Sequence, residues 1–111
     1  MKLLALCRVE EIGEGCARGF VFGKGVSRHD LVVMRRAGAV CVYVNSCPHQ
    51  GTPLDTFPDR FLNEDGSLFV CSTHGARFCV EDGLCVSGPC EGKALTIVPS
   101  AIRDGVVFVQ L

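Results

Sequence analysis

No window of ten or more residues in this chain keeps a helical period of apolar side chains without meeting a glycine or a proline. That excludes an amphipathic helix of ordinary length. What remains is a series of short apolar runs separated by turns. Leu31-Val32-Val33-Met34 and Val40 to Val44 are dense in β-branched and apolar residues, with Arg36-Ala37-Gly38 between them. The pattern predicts a hairpin. Asp65-Gly66, Asp82-Gly83 and Asp104-Gly105 mark further reversals, because Gly accepts positive φ and Asp tolerates the neighbouring turn position. Leu68-Phe69-Val70, Leu95 to Val98 and Val106 to Val109 flank these turns as strand candidates. One short helical turn is expected within Asp55 to Leu62, limited by Pro53 and Pro58. The fold class is therefore all-β, a sandwich or small barrel. A chain of 111 residues fits one domain.

Charge narrows the function. The formal net charge is −1 and the basic residues are scattered. A nucleic-acid binder would show a clustered basic footprint, so that class is set aside. The apolar run Leu3 to Cys7 stops at Arg8 and is too short for the core of a signal peptide. No stretch approaches the roughly 20 apolar residues of a membrane span. The expectation is a soluble, cytoplasmic protein with no membrane partner. Eight cysteines without an export signal are better read as reduced thiols and metal ligands than as a disulfide framework.

Two segments carry the chemistry: Cys47-Pro48-His49-Gln50-Gly51 and Cys71-Ser72-Thr73-His74-Gly75. Each offers one thiolate and one imidazole within a few residues, and each ends in Gly. Short spacing lets two side chains of one loop converge, and Gly gives the backbone dihedrals that other residues resist. Two Cys and two His can hold one zinc ion tetrahedrally. They can also hold a two-iron cluster, with Cys on one iron and His on the other. Ligand count does not separate these. The mixed composition of each half suits a cluster spanned by both loops, whereas zinc fingers commonly keep a Cys pair and a His pair apart.

Cys-Pro-His-Gln-Gly and Cys-Ser-Thr-His-Gly resemble the two cluster-binding loops of Rieske iron-sulfur proteins. Gly88-Pro89 resembles the family's third, Pro-bearing loop, and Leu95 to Leu111 resembles its closing hairpin. The resemblance implies a [2Fe-2S] cluster with Cys47 and Cys71 on the inner iron and His49 and His74 on the outer one. It also implies an antiparallel β base carrying a smaller cluster-binding subdomain. Here residues 1–111 would form a single Rieske domain, with the subdomain roughly at 45–89.

The chain departs from the family in two ways. The spacer between the loops is longer than in most Rieske ferredoxins, and Leu54 to Phe69 is expected to carry the excess as a surface excursion. Respiratory members place a disulfide at positions matching Thr52 and Thr73, and Ser and Tyr hydroxyls at positions matching Ala76 and Phe78. None of these features is present.

The other candidates have ordinary readings. Cys7, Cys41 and Cys79 are read as packing residues. Cys85 and Cys90 bracket Val86-Ser87-Gly88-Pro89, which puts them near the cluster or near each other. His29 reads as part of a surface turn, and Gly23-Lys24-Gly25 as a turn without Walker spacing.

The leading function is a stand-alone ferredoxin. It would carry single electrons from a reductase to an oxygenase or similar acceptor, and would not itself be an enzyme. The alternatives are a small accessory subunit of a reductase, such as nitrite reductase, and a structural zinc module. Hydrogen bonds to cluster sulfurs raise the potential, and the hydroxyls that supply them in respiratory members are missing. The midpoint potential is therefore expected near the lower end of the Rieske range of roughly −150 to +300 mV. A redox titration giving a value above about +150 mV would sink this expectation.

Overall fold

The computed structural model describes residues 3–48, 51, 53–55, 60–71 and 75–110. Ten strands run through them: β1 Leu3–Arg8, β2 Ala17–Phe22, β3 His29–Arg36, β4 Ala39–Val44, β5 Leu68–Val70, β6 Arg77–Cys79, β7 Cys85–Ser87, β8 Ile97–Val98, β9 Ser100–Arg103 and β10 Val106–Gln110. They form three sheets, ordered β1-β10-β9, β2-β3-β4-β8 and β5-β6-β7. Every pairing is antiparallel. Among the described residues the helical content is two single 3-10 turns, Val9–Glu11 and Gly25–Ser27. The all-β expectation holds. The helical turn expected at Asp55 to Leu62 rests largely on residues outside those described.

The four-stranded sheet is central because its two middle strands are apolar on both faces. In β3, Val32 and Met34 enter one core while Leu31 and Val33 enter the other. In β4, Tyr43 belongs to the first core and Val42 to the second. This double burial explains why Leu31 to Met34 reads as an unbroken apolar run instead of an alternating one. The second core adds Cys7, Ile12, Val98, Val107 and Val109, which bind the terminal strands β1 and β10 to the central sheet. A bulge between Ala5 and Cys7 shifts the β1 register so that Cys7 faces Val107. The run Leu3 to Cys7, considered above only as an export signal, is thus most of a strand.

The first core lies toward the third sheet. It packs Leu54, Phe61, Phe69 and Phe78 around Tyr43, with Tyr43 and Phe69 edge to face at 5.6 Å. Each phenylalanine side chain buried here contributes roughly 1.5–3 kcal/mol. The longer spacer is therefore only in part a surface excursion. Glu64 and Asp65 are exposed at a turn, but Leu54, Phe61 and Phe69 are fully buried.

The turns follow the sequence signals. Asp104 and Gly105 both take positive φ, 50° and 75°, and join β9 to β10 as a two-residue hairpin turn. The β3–β4 hairpin turns on Ala37 and Gly38, with φ of 53° and 77°. Ala has no intrinsic preference for that geometry. Its support comes from Glu14, whose carboxylate accepts the Ala37 and Gly38 amides, each at 2.9 Å. Those bonds, with Gly38 the largest cause, hold the Glu14 carboxyl below the usual carboxylate range.

The depressed value fixes a sign. Because the folded value lies below the unfolded one, the contribution of Glu14 is present above the unfolded value and lost as pH falls through the folded one. Glu14→Gln should therefore lower stability at neutral pH and flatten this part of the acid limb. Chemical denaturation at pH 7 and at acidic pH tests it, and an equal loss at both would contradict it.

Candidate metal centre

Both Cys-bearing loops follow directly from strands. β4 ends at Val44 and leads into Cys47, and β5 ends at Val70 just before Cys71. Each loop closes with the same backbone device. The Gly51 amide donates to the Cys47 carbonyl at 2.6 Å, and the Gly75 amide donates to the Cys71 carbonyl at 2.8 Å. Gly51 has φ of 74° and Gly75 of 73°. A side chain at either glycine would be strained, which is the physical reason for the Gly that ends each segment. Two five-residue turns of matching closure thus present Cys47 and Cys71, which are 1% and 0% exposed.

Bracing residues hold the first loop. Asn45 accepts the Leu54 amide at 2.8 Å through Oδ1, and its Nδ2 donates to Asp55 Oδ1 at 2.9 Å. The second loop is held by the Cys71 amide, which donates to the Ala76 carbonyl at 2.8 Å. Tyr43 ties the central sheet to this region by donating its hydroxyl to the Val80 carbonyl at 3.0 Å. Burial foremost, and Cys41 next, pushes the Tyr43 hydroxyl above its ordinary value, so it acts as a neutral donor. Neither Asn45 nor Tyr43 stood out in the sequence. Asn45, two residues before Cys47, was the one available cue.

The third loop lies against the second. A Cβ on Gly88 would come within 2.8 Å of the Ala76 Cα, and Gly88 itself has φ of 97°. Beyond it, Cys90 is 2% exposed and its Sγ lies 3.2 Å from that of Cys85. Burial first, then Cys85 and Cys47, push the Cys90 thiol up to about 12. Of the two placements open at the sequence level, Cys85 and Cys90 lie near each other, in the same core as Cys47. The remaining cysteines stand apart from this group. Cys7 is buried in the second core, where burial and nearby Glu11 raise its thiol to about 11. Cys41 and Cys79 are only half-buried, and Cys16 is exposed. His29 is exposed at the start of β3, a strand position where a turn was expected.

His49, His74, Thr52 and Thr73 lie outside the described residues. Ala76 and Phe78 are described and fully buried, and neither side chain carries a hydroxyl.

Comparison with known proteins bears on this arrangement. The family model of the Rieske [2Fe-2S] domain matches residues 2–102. The chain belongs to that family. Its cofactor is a [2Fe-2S] cluster. A curated relative, the ferredoxin component of the alkene monooxygenase system of Xanthobacter autotrophicus, is 27% identical over 94% of this chain and 77% of its own length. The solved Sphingomonas yanoikuyae ferredoxin is 25% identical, with a TM-score of 0.75 and 99% of both chains covered. A chain in a solved complex of reduced oxygenase and oxidised ferredoxin in carbazole 1,9a-dioxygenase matches with a TM-score of 0.74 at 24% identity, covering 96% of this chain and 91% of that one.

The described residues fit such a cluster. Two fully buried thiols at the heads of matching glycine-closed turns are the soft donors that iron-sulfur centres require. Gly88 provides a specific test of how the third loop supports them. Gly88→Ala is expected to cost about 1–3 kcal/mol through backbone strain and contact with Ala76, and to lower the iron content of purified protein. An unchanged denaturation midpoint together with full iron content would refute this.

Proposed function

We propose that this protein is a Rieske ferredoxin that carries single electrons from a reductase to a terminal oxygenase, with Cys47, His49, Cys71 and His74 as cluster ligands. The observation that carries the reading is the pair of buried cysteines, each heading a turn closed by an equivalent glycine. Residues 1–111 are read as a single Rieske domain, and 45–89 as the cluster-binding subdomain set into the β base. The β5-β6-β7 sheet and the three loops all fall within that interval or at its edge.

The bound cluster would supply a site that gains and loses one electron without bond chemistry on a substrate. The protein's own residues bury the Cys47 and Cys71 thiols and fix the loop backbones through Gly51 and Gly75. They also keep water from the inner side with Leu54, Phe61, Phe69 and Phe78. His49 and His74, as outer ligands, would form the exit for the electron.

The donor is read as a reductase. The acceptor is read as an oxygenase because the alkene monooxygenase relative is a ferredoxin component of such a system. The chain is an electron carrier, not a catalyst, as are its ferredoxin relatives. No helix among the described residues is long and apolar enough to cross a membrane. A cytoplasmic location is read from the eight cysteines, none of them in a disulfide.

Anaerobic purification followed by iron, sulfide and zinc analysis and EPR of the reduced protein tests the reading. Iron and sulfide in equal amounts, with a reduced EPR signal, are expected. Cys71→Ala and His74→Ala should each lose most of that iron. A colourless protein with one zinc and no sulfide would replace the reading with a structural zinc module. Either variant retaining a wild-type cluster would remove that residue from the ligand set.

A further inference from the structure

The two Cys-bearing loops are closed by different means. The second lies between β5 and β6, which pair from Leu68↔Cys79 to Val70↔Arg77. A backbone ladder therefore leads into it and out of it, and the Cys71 amide extends that ladder by donating to the Ala76 carbonyl at 2.8 Å. The first loop leaves β4, whose sheet neighbours are β3 and β8. Its far end, at 53–55, lies in none of the three sheets. Among the described residues no strand ladder joins the two ends of the first loop.

Asn45 stands in for that ladder. Its backbone amide donates to the Asp30 carbonyl at 2.8 Å, which fixes it to β3. Its Oδ1 accepts the Leu54 amide at 2.8 Å, and its Nδ2 donates to Asp55 Oδ1 at 2.9 Å. One side chain thus ties position 45 to 54 and 55. The ring it closes contains Cys47, His49 and the inner turn in which the Gly51 amide meets the Cys47 carbonyl. The chemistry of the partners dictates the residue. The Leu54 amide needs an acceptor and the Asp55 carboxylate needs a donor, and a primary amide offers one of each on a single planar group. A carboxylate at this position would offer acceptors alone and would set a second negative charge against Asp55.

We propose that Asn45 is the positioning residue of the first ligand loop: its side-chain amide is a clasp whose opening frees that loop, and it thereby sets how long the cluster stays bound. The inference rests on the reading of Cys47 and His49 as ligands. A segment opens locally at the cost of the bonds that hold it, and one outside a sheet opens before one held by a strand ladder. Removing both side-chain bonds favours the open loop by about tenfold. The second loop, held by backbone pairing, is the half of the site that stays in place. Cluster loss therefore begins at the first loop.

Two measurements on the cluster-loaded protein test the proposal. One is iron release to a chelator without denaturant. The other is hydrogen exchange, read by mass spectrometry on peptides covering 45–55 and 68–79. Asn45→Ala should release iron about tenfold faster, with faster exchange in 45–55 and unchanged exchange in 68–79. Asn45→Asp should release iron at least as fast. Adding Asp55→Asn to Asn45→Asp restores the pairing with donor and acceptor exchanged, because the new carboxylate accepts both the Leu54 amide and the new side-chain amide. That double variant should return to within about threefold of the wild-type rate. If Asn45→Ala accumulates without a cluster, Asn45→Asp against the double variant carries the test, and a double variant that also lacks a cluster overturns the proposal. So would wild-type iron release in Asn45→Ala, equal acceleration of exchange in both peptides, or a double variant no slower than Asn45→Asp. Cys47→Ala separates the two readings: full iron and sulfide in that variant would sink the ligand assignment itself, whatever exchange in 45–55 shows of the clasp.

Discussion

The structure depends on a central sheet whose middle strands are buried on both faces. Leu31 and Val33 point to one core, and Val32 and Met34 to the other, so a one-residue slip of β3 would exchange the two sets and draw Asp30 or Arg35 into a buried position. That constraint also fixes β4, paired along its whole length from Leu31↔Val44 to Arg36↔Ala39. β4 in turn sets where the first Cys-bearing loop begins. The site is thus anchored to the central sheet through β4.

The second loop gains its position differently. β5 is only three residues long and could not hold a loop by pairing alone. It is secured because Phe69 packs on Tyr43 while Phe61 and Phe78 fill the space around them. Tyr43 thus serves both halves, with its ring in the shared core and its hydroxyl on the Val80 carbonyl. A rigid two-loop site needs that link, because its two halves come from different sheets.

Several elements were legible beforehand because their signals are local. Positive φ at Gly105 and Gly38, and the glycines closing both Cys-bearing turns, follow from what a backbone without Cβ can do. The strands at Leu68–Val70 and Val106–Gln110 were legible from short β-rich runs next to Asp-Gly. β1 was missed because Leu3 to Cys7 lacks a turn signal and pairs with the far end of the chain. The burial of Leu54 and Phe61 was missed because the spacer was judged by its length and its turn, and a long-range core leaves no periodicity in so irregular a stretch. Glu14 holding the Ala37-Gly38 turn had no local signature either.

The sequence by itself determined the fold class, the turn positions, the four Cys and His candidates and the chemistry they can support. All of these depend on residue type and short spacing. Tertiary structure decided where the other six cysteines sit, since only packing brings Cys85 and Cys90 together in the core that holds Cys47 and leaves Cys16 exposed. It also decided what holds the loops: Asn45, Tyr43 and the bare Cα of Gly88 against Ala76. Those contacts join residues far apart in the chain, and their energies come from burial and from hydrogen-bond partners that no local pattern encodes.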